Sequence, residues 1–282
     1  MIPATASGPW PAPAKLNLML HVTGRRADGY HELQTVFQFL TASDWLYFDV
    51  HEQPGVQLAG QPAGVPASED LCVRAAALLL EATKYRAGVT IYNEKRLPVG
   101  GGLGGGSSDA ATTLLVLNRL WALGLQPDEL ARLGLVLGAD VPVFIQGQAA
   151  WAEGVGEILT PVTPPESWYL VVVPPVSVST AAIFSDPGLT RDTPRTKIPD
   201  LLSAAGQNDC EAVVRHRYPD VGTALDWLSA FSPARMTGTG GCVFAAFDTE
   251  ADAQAVAEQM PANWSGFVTR GINRSPLLTA ME

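Results

Sequence analysis

The sequence predicts an α+β protein built as two packed units, on three observations. The chain has 282 residues, near twice the ~150 residues of an ordinary domain. Its first half opens on alternating and β-branched runs, and its second half mixes apolar strands with short helical patterns. Hydrophobic residues make up 47% and charged residues 16% of the chain, which supplies two cores and excludes wholesale disorder. The units expected are residues 1–160 and 161–282.

Taken in order, Ala14 to Val22 alternates, with Leu16, Leu18, Leu20 and Val22 on one face and Lys15, Asn17, Met19 and His21 on the other. That pattern reads as a half-buried strand. Arg25 to His31 is a polar, turn-forming connection, and Leu33–Leu40 and Trp45–Val50 are two further strand-like runs. Leu71 to Lys84 is rich in Ala and Leu with few charges, as in a covered helix, and Val89–Tyr92 is a strand. A glycine segment then passes straight into an apolar helix, and Pro127-Asp128-Glu129 opens another that Gly138 closes.

Trp168–Val173 is a wholly apolar strand that begins the second unit, and the uncharged stretch from there to Ser185 reads as strand followed by loop. Pro, Thr and charge mark residues 187–199 as a surface loop. Helices are expected over Asp209–Arg217, Val221–Phe231 and Glu250–Met260, and strands over Ala234–Thr237, Val243–Phe247 and Gly266–Thr269.

Eighteen basic against 28 acidic residues leave a net charge of −10, which repels phosphate backbones and anionic lipid. Neither nucleic acid nor membrane is an expected partner, and an anionic ligand needs a locally positive pocket. Cys72, Cys210 and Cys242 are far apart and odd in number, which fits a reducing compartment. With no basic, apolar leader ahead of Lys15, a cytoplasmic protein is expected.

The pocket is sought in the glycine segment. Gly100, Gly101, Gly102, Leu103, Gly104, Gly105 and Gly106 put six glycines in seven positions, followed by Ser107, Ser108 and Asp109, residue types of a helix cap and first turn. A linker has no reason to be stapled to a helix start. A phosphate cradle has one: glycine lets backbone approach a ligand, and the helix end offers unpaired N–H groups and about half a positive charge. A Walker A loop needs Lys where Ser107 stands. Gly100, Gly102 and Gly105 satisfy GxGxxG, but any glycine run does, and no acidic residue ends a strand ~20 positions on.

Phosphoryl transfer to an alcohol requires charge neutralisation and a group that orients or deprotonates the hydroxyl. Asp140, between Gly138-Ala139 and Val141-Pro142-Val143-Phe144, is either the cap of a helix at Pro142 or such a group. Lys15 is either solvent-facing or in a cleft beside it. Ser107 and Asp109 carry oxygens suited to Mg²⁺ and equally suited to capping. The four histidines show no ligand spacing. Thr237-Gly238-Thr239-Gly240-Gly241-Cys242 is a second glycine loop, a hairpin turn or a wall beside the phosphates, and Cys242 fits packing better than nucleophilic chemistry.

Pro98-Val99 and the glycine segment ahead of an Ala-rich helix resemble the phosphate loop of the GHMP kinases. Pro13–Leu18, Arg26–His31, Gly138–Pro142, Asn208-Asp209 and Thr237–Gly241 extend the resemblance from Pro13 to about Phe247, toward the branch of that family acting on a cytidine diphosphate alcohol. The resemblance implies a ribosomal-S5-like N-terminal domain, a ferredoxin-like C-terminal domain, and a monomer or homodimer. It implies ATP with Mg²⁺, and phosphorylation of the 2-hydroxyl of 4-diphosphocytidyl-2-C-methyl-D-erythritol in non-mevalonate isoprenoid synthesis. Lys15 and Asp140 match its catalytic positions. Lys95, Pro98, Val99, Gly100 to Gly106, Ser107 and Ser108 match its ATP site, with Ser107 toward the metal. Asn17, Thr239 and Gly240 match substrate positions, while Tyr30 and Phe184 sandwich the cytosine and His31 bonds its edge. Where relatives often place Asn before the helix-opening Leu, this chain has Asp70, which can only accept toward adenine.

Overall fold

The computed structural model describes residues 2–60, 67–197 and 207–282. Two long antiparallel strands, β1 (Ser7–Arg25) and β2 (His31–His51), pair along most of their length. β1 is not the half-buried strand its alternation predicts, because every residue from Pro11 to Asn17 is buried. One face, Ala14 and Leu16, packs on Tyr169, Val171 and Phe244 of the second unit. The other, Lys15 and Asn17, lies under the glycine loop, with the Lys15 N–H donating to Leu103 O at 2.9 Å. β2 merges the two expected runs into one strand through Asp44, a fully buried carboxylate.

β3 (Gly55–Ala59) and β4 (Gly88–Glu94) continue this sheet beyond β2, and β5 (Ala150–Glu153) and β6 (Ile158–Pro161) flank it. Four helices cover it: α1 (Leu71–Thr83), α2 (Gly105–Leu120), α3 (Pro127–Leu137) and α4 (Val141–Gln146). Their apolar faces form the larger core with Phe37, Phe39, Leu46 and Phe48 of β2. The capping chemistry agrees with the sequence for α3, where Gln126 and Glu129 form a capping box ahead of Pro127.

The second unit runs β7 (Trp168–Val173), α5 (Thr180–Ser185), α6 (Glu211–Arg217), α7 (Pro219–Ser229), β8 (Ala234–Met236), β9 (Val243–Phe247), α8 (Glu250–Ala257) and β10 (Ser265–Ile272). Its strands lie in the order β10-β7-β9-β8, all antiparallel, the order of a split β-α-β fold. Helix α5 occupies part of the stretch expected as loop: Ser179 caps it by accepting from the Ala182 N–H, a signal hidden in an uncharged segment. The expected loop at 187–199 is irregular to residue 197, and its last residues lie outside those described.

β10 joins the halves. Gly271 and Ile272 pair with Leu40 and Phe39 of β2, so one ten-stranded sheet runs through the molecule. The last helix, α9 (Pro276–Ala280), returns to the first unit and buries Leu277 in its core. No described helix is long and apolar enough to cross a membrane.

Candidate active site

The glycine segment is a tight loop leading into α2. Gly104, at φ 71°, is the N-cap, and the helix starts at Gly105, earlier than Ser107 to Asp109 suggested. Those three residues therefore lie inside the helix, and no side chain caps it. The first amides have no intrahelical acceptor, and they open onto a cavity of about 580 Å³ lined by Asp70, Lys95, Pro98, Val99, Gly100 to Gly106, Ser107 and Asp109. Ser108 does not line it: the side chain is fully buried and its hydroxyl has no partner among the described residues. Gly102 has φ 76°, and a Cβ there would lie 2.4 Å from Thr237 O, so glycine is required where the two glycine loops touch backbone to backbone. The second loop is thus both a turn between β8 and β9 and a wall. The Cys242 N–H donates to Gly101 O at 3.1 Å, and burial pushes the Cys242 thiol up to about 12, as in packing.

Lys15 projects from β1 into the angle between the loops and is 97% enclosed, while the Asp140 side chain is a third exposed. The ammonium donates to Asn17 Oδ1 at 2.5 Å and Gly102 O at 2.9 Å, and stands 3.3 Å from Asp140 Oδ2. The ammonium, which has donors and no acceptor, thus faces three oxygens. Asp140 precedes α4 but makes no side-chain cap, so its free oxygen faces the cavity. The apolar residues after it, Val141 to Ile145, turn into the core. Asn17 is spent on support: its amide donates to Thr35 Oγ1 at 2.8 Å and its backbone N–H to Thr237 Oγ1 at 3.0 Å.

Lys95 is not a free cation for phosphates. It pairs with Asp44 and, at 2.8 Å, with Asp109 Oδ2, which also accepts from Asn93 at 2.9 Å. Asp70 uses one oxygen to cap α1 through the Cys72 N–H at 2.8 Å. Two buried carboxylates on one ammonium are out of balance, and burial raises Asp109 from 3.8 to about 6. Between those values the native chain binds a proton that the unfolded chain lacks, so this group's contribution to stability falls as pH rises. The stability of Asp109→Asn relative to the parent is accordingly expected to increase from pH 4 to pH 7 in urea titrations. A constant difference would contradict the buried imbalance.

A second cavity, of about 460 Å³, opens on the far side of Gly102, Gly104 and Ser107, which line both. Lys15, Asn17, Tyr30, His31, Asp140, Phe184 and Thr239 line it. Gly240 does not; a Cβ there would meet Met236 and Val214 of the core, and Gly238 takes its place at the wall. His31 and Phe184 stack at 5.0 Å and 24°, while Tyr30 is 63% exposed. The structure thus gathers Tyr30, His31 and Phe184 at one mouth, with His31 in contact with Phe184. Asp44 and Arg191 hold residues of the site, Lys95 and His31, and carry no local motif, since those partners lie far along the chain.

The first half matches the GHMP kinases N terminal domain over residues 70–148 and the second the GHMP kinases C terminal domain over 194–266. A 4-diphosphocytidyl-2-C-methyl-D-erythritol kinase of Pseudomonas paraeruginosa is 58% identical over 272 residues, 96% of each chain. One of Shewanella baltica is 54% identical over 282 residues, 100% of this chain and 99% of the relative. The crystal structure of a 4-(cytidine 5′-diphospho)-2C-methyl-D-erythritol kinase superposes with a TM-score of 0.81 at 35% identity, covering 93% of this chain and 98% of the other. The chain belongs to the GHMP kinases, in the family of 4-diphosphocytidyl-2-C-methyl-D-erythritol kinases.

Proposed function

We propose that this chain transfers the γ-phosphoryl group of ATP to the 2-hydroxyl of 4-diphosphocytidyl-2-C-methyl-D-erythritol, giving ADP and the 2-phosphate. One observation carries the reading: the Lys15–Asp140 pair stands in one cavity against Gly102, on the wall it shares with a second cavity closed by the glycine loop. ATP occupies the glycine-loop side, its phosphates against the first amides of α2. The cytidyl alcohol occupies the other side, its base among Tyr30, His31 and Phe184 and its hydroxyl at Asp140. As the substrate oxygen bonds to the γ-phosphorus, its proton passes to Asp140, and the bond from the γ-phosphorus to the β–γ bridging oxygen breaks to release ADP. Lys15 orients Asp140 and neutralises charge on the transferred group.

The described residues contain no group of three or more His, Cys, Asp or Glu able to hold a metal. Mg²⁺, which keeps several waters and binds through one or two carboxylates plus substrate phosphates, fits a wall that offers the Ser107 hydroxyl and the Asp109 carboxylate. When bound it neutralises phosphate charge. Asp109 Oδ2 is held by Lys95 and Asn93, while its buried Oδ1 has no partner among the described residues. We further assign residues 1–160 to the ATP-holding unit and 161–282 to the second, acting in the cytoplasm as monomer or homodimer.

The test is ADP release. Turnover is expected to require the cytidyl alcohol and Mg²⁺, with homoserine and mevalonate inert. Thermal stabilisation by ATP and the cytidyl alcohol without any ADP formed would instead describe a nucleotide-binding regulator on a kinase scaffold.

A further inference from the structure

Arg191 is 160 residues from His31 in sequence and touches it in the fold. Resting on the pyrimidine reading of the second cavity, we propose that Arg191 fixes the tautomer of His31 and thereby makes the site select cytosine over uracil.

A guanidinium has donors and no acceptor. The Arg191 Nε–H donates to His31 Nε2 at 3.1 Å, so Nε2 carries the lone pair and the ring proton is on Nδ1. Burial, then the cations of Arg191 and Arg25, hold His31 below its ordinary value, so the ring is neutral near pH 7. Nδ1 bonds no described residue, and His31 is one of the residues lining the cavity. The site therefore presents a hydrogen-bond donor there. Cytosine offers a lone pair at ring position N3, whereas uracil carries N–H at the same position. A donor at Nδ1 matches the first and opposes the second, and the other tautomer would reverse the preference.

The remaining donors of Arg191 bind the neighbouring wall. They reach Leu189 O at 3.0 Å, Phe184 O at 2.8 Å and Asp186 O at 2.7 Å. One side chain thus ties the end of α5, which carries Phe184, to the ring stacked on it. Among the described residues all its hydrogen-bond partners are neutral acceptors, and losing the donors frees the His31 ring to exchange tautomers.

The experiment compares the parent with Arg191→Met and Arg191→Lys, using the cytidyl alcohol and its uridine counterpart as substrates. Ring protonation is read by ¹⁵N NMR of histidine-labelled protein. Arg191→Met is expected to lower the cytidine-over-uridine ratio of kcat/KM by ~10-fold, the scale of one misplaced hydrogen bond. The change is expected in KM for the cytidine substrate, with kcat altered less and protonated Nε2 appearing. Arg191→Lys, which keeps one cationic donor, is expected to restore most of the ratio. A purely structural brace would raise both KM values together and leave the ratio intact, and that result, or a parent ring protonated at Nε2, would overturn the proposal. A parent that binds CDP and UDP equally, with no shift of the His31 signals, would remove the pyrimidine reading itself and this inference with it.

Discussion

Asp140→Asn is expected to reduce kcat by ~10²–10⁴-fold, the usual contribution of a positioned acid–base group, with stability within about 0.5 kcal/mol of the parent. The separation follows from the geometry. The Asp140 side chain is a third exposed, caps no helix, and has Lys15 as its ion-pair partner at 3.3 Å. Lys15 keeps Asn17 Oδ1 and Gly102 O in the variant, and an amide oxygen still accepts from its ammonium. What disappears is the capacity to take a proton. KM for both substrates should therefore hold while kcat collapses, read by ADP release beside a denaturation curve. Unimpaired turnover would remove Asp140 as the proton acceptor. Lys15 is the poorer probe of chemistry, because its removal strands the buried Asn17 Oδ1 and costs folding as well.

The glycine segment and its helix were legible because their signal is local: a run of small residues stapled to an apolar helix has few physical uses. The order of the second unit was legible too, since each strand is a short apolar run between turn residues. Four things were not. The alternation in β1 predicted one wet face, but side chains cannot announce that a loop some 85 residues on will close over them, as Gly102 does over Lys15. Ser107 to Asp109 read as a cap, yet Gly104 takes that place through a positive φ open to glycine, and a glycine run hides which member does so. The Ser179 cap of helix α5 is hidden in an uncharged segment, and the Arg191 contact depends on a ring supplied by a distant one. Asp44 is the fourth case and the most consequential for stability. An acid between two strand-like runs suggests a break, whereas it is the reason the strand can continue.

That reasoning makes Asp44→Ala the substitution with the largest expected cost to folding, ~3 kcal/mol by urea titration, on the scale of a broken buried polar network. Asp44 and Asp109 share the Lys95 ammonium, but their other bonds differ. Asp44 Oδ1 accepts the Arg96 N–H at 2.6 Å and the Leu97 N–H at 2.8 Å, fixing the segment that feeds the glycine loop. Asp109 Oδ1 has no partner among the described residues. Removing Asp44 therefore strands two backbone donors, one of them buried, whereas Asn at position 109 relieves an excess of buried charge. The two substitutions are expected to move stability in opposite directions at pH 7 although they touch the same cation. Asp44→Asn should lie between, since its oxygen still accepts the two N–H groups while its amide must turn toward Lys95. If Asp44→Ala cost less than about 1 kcal/mol, or if the two sites responded alike, the bonds to Arg96 and Leu97 could not be what holds the approach to the phosphate loop.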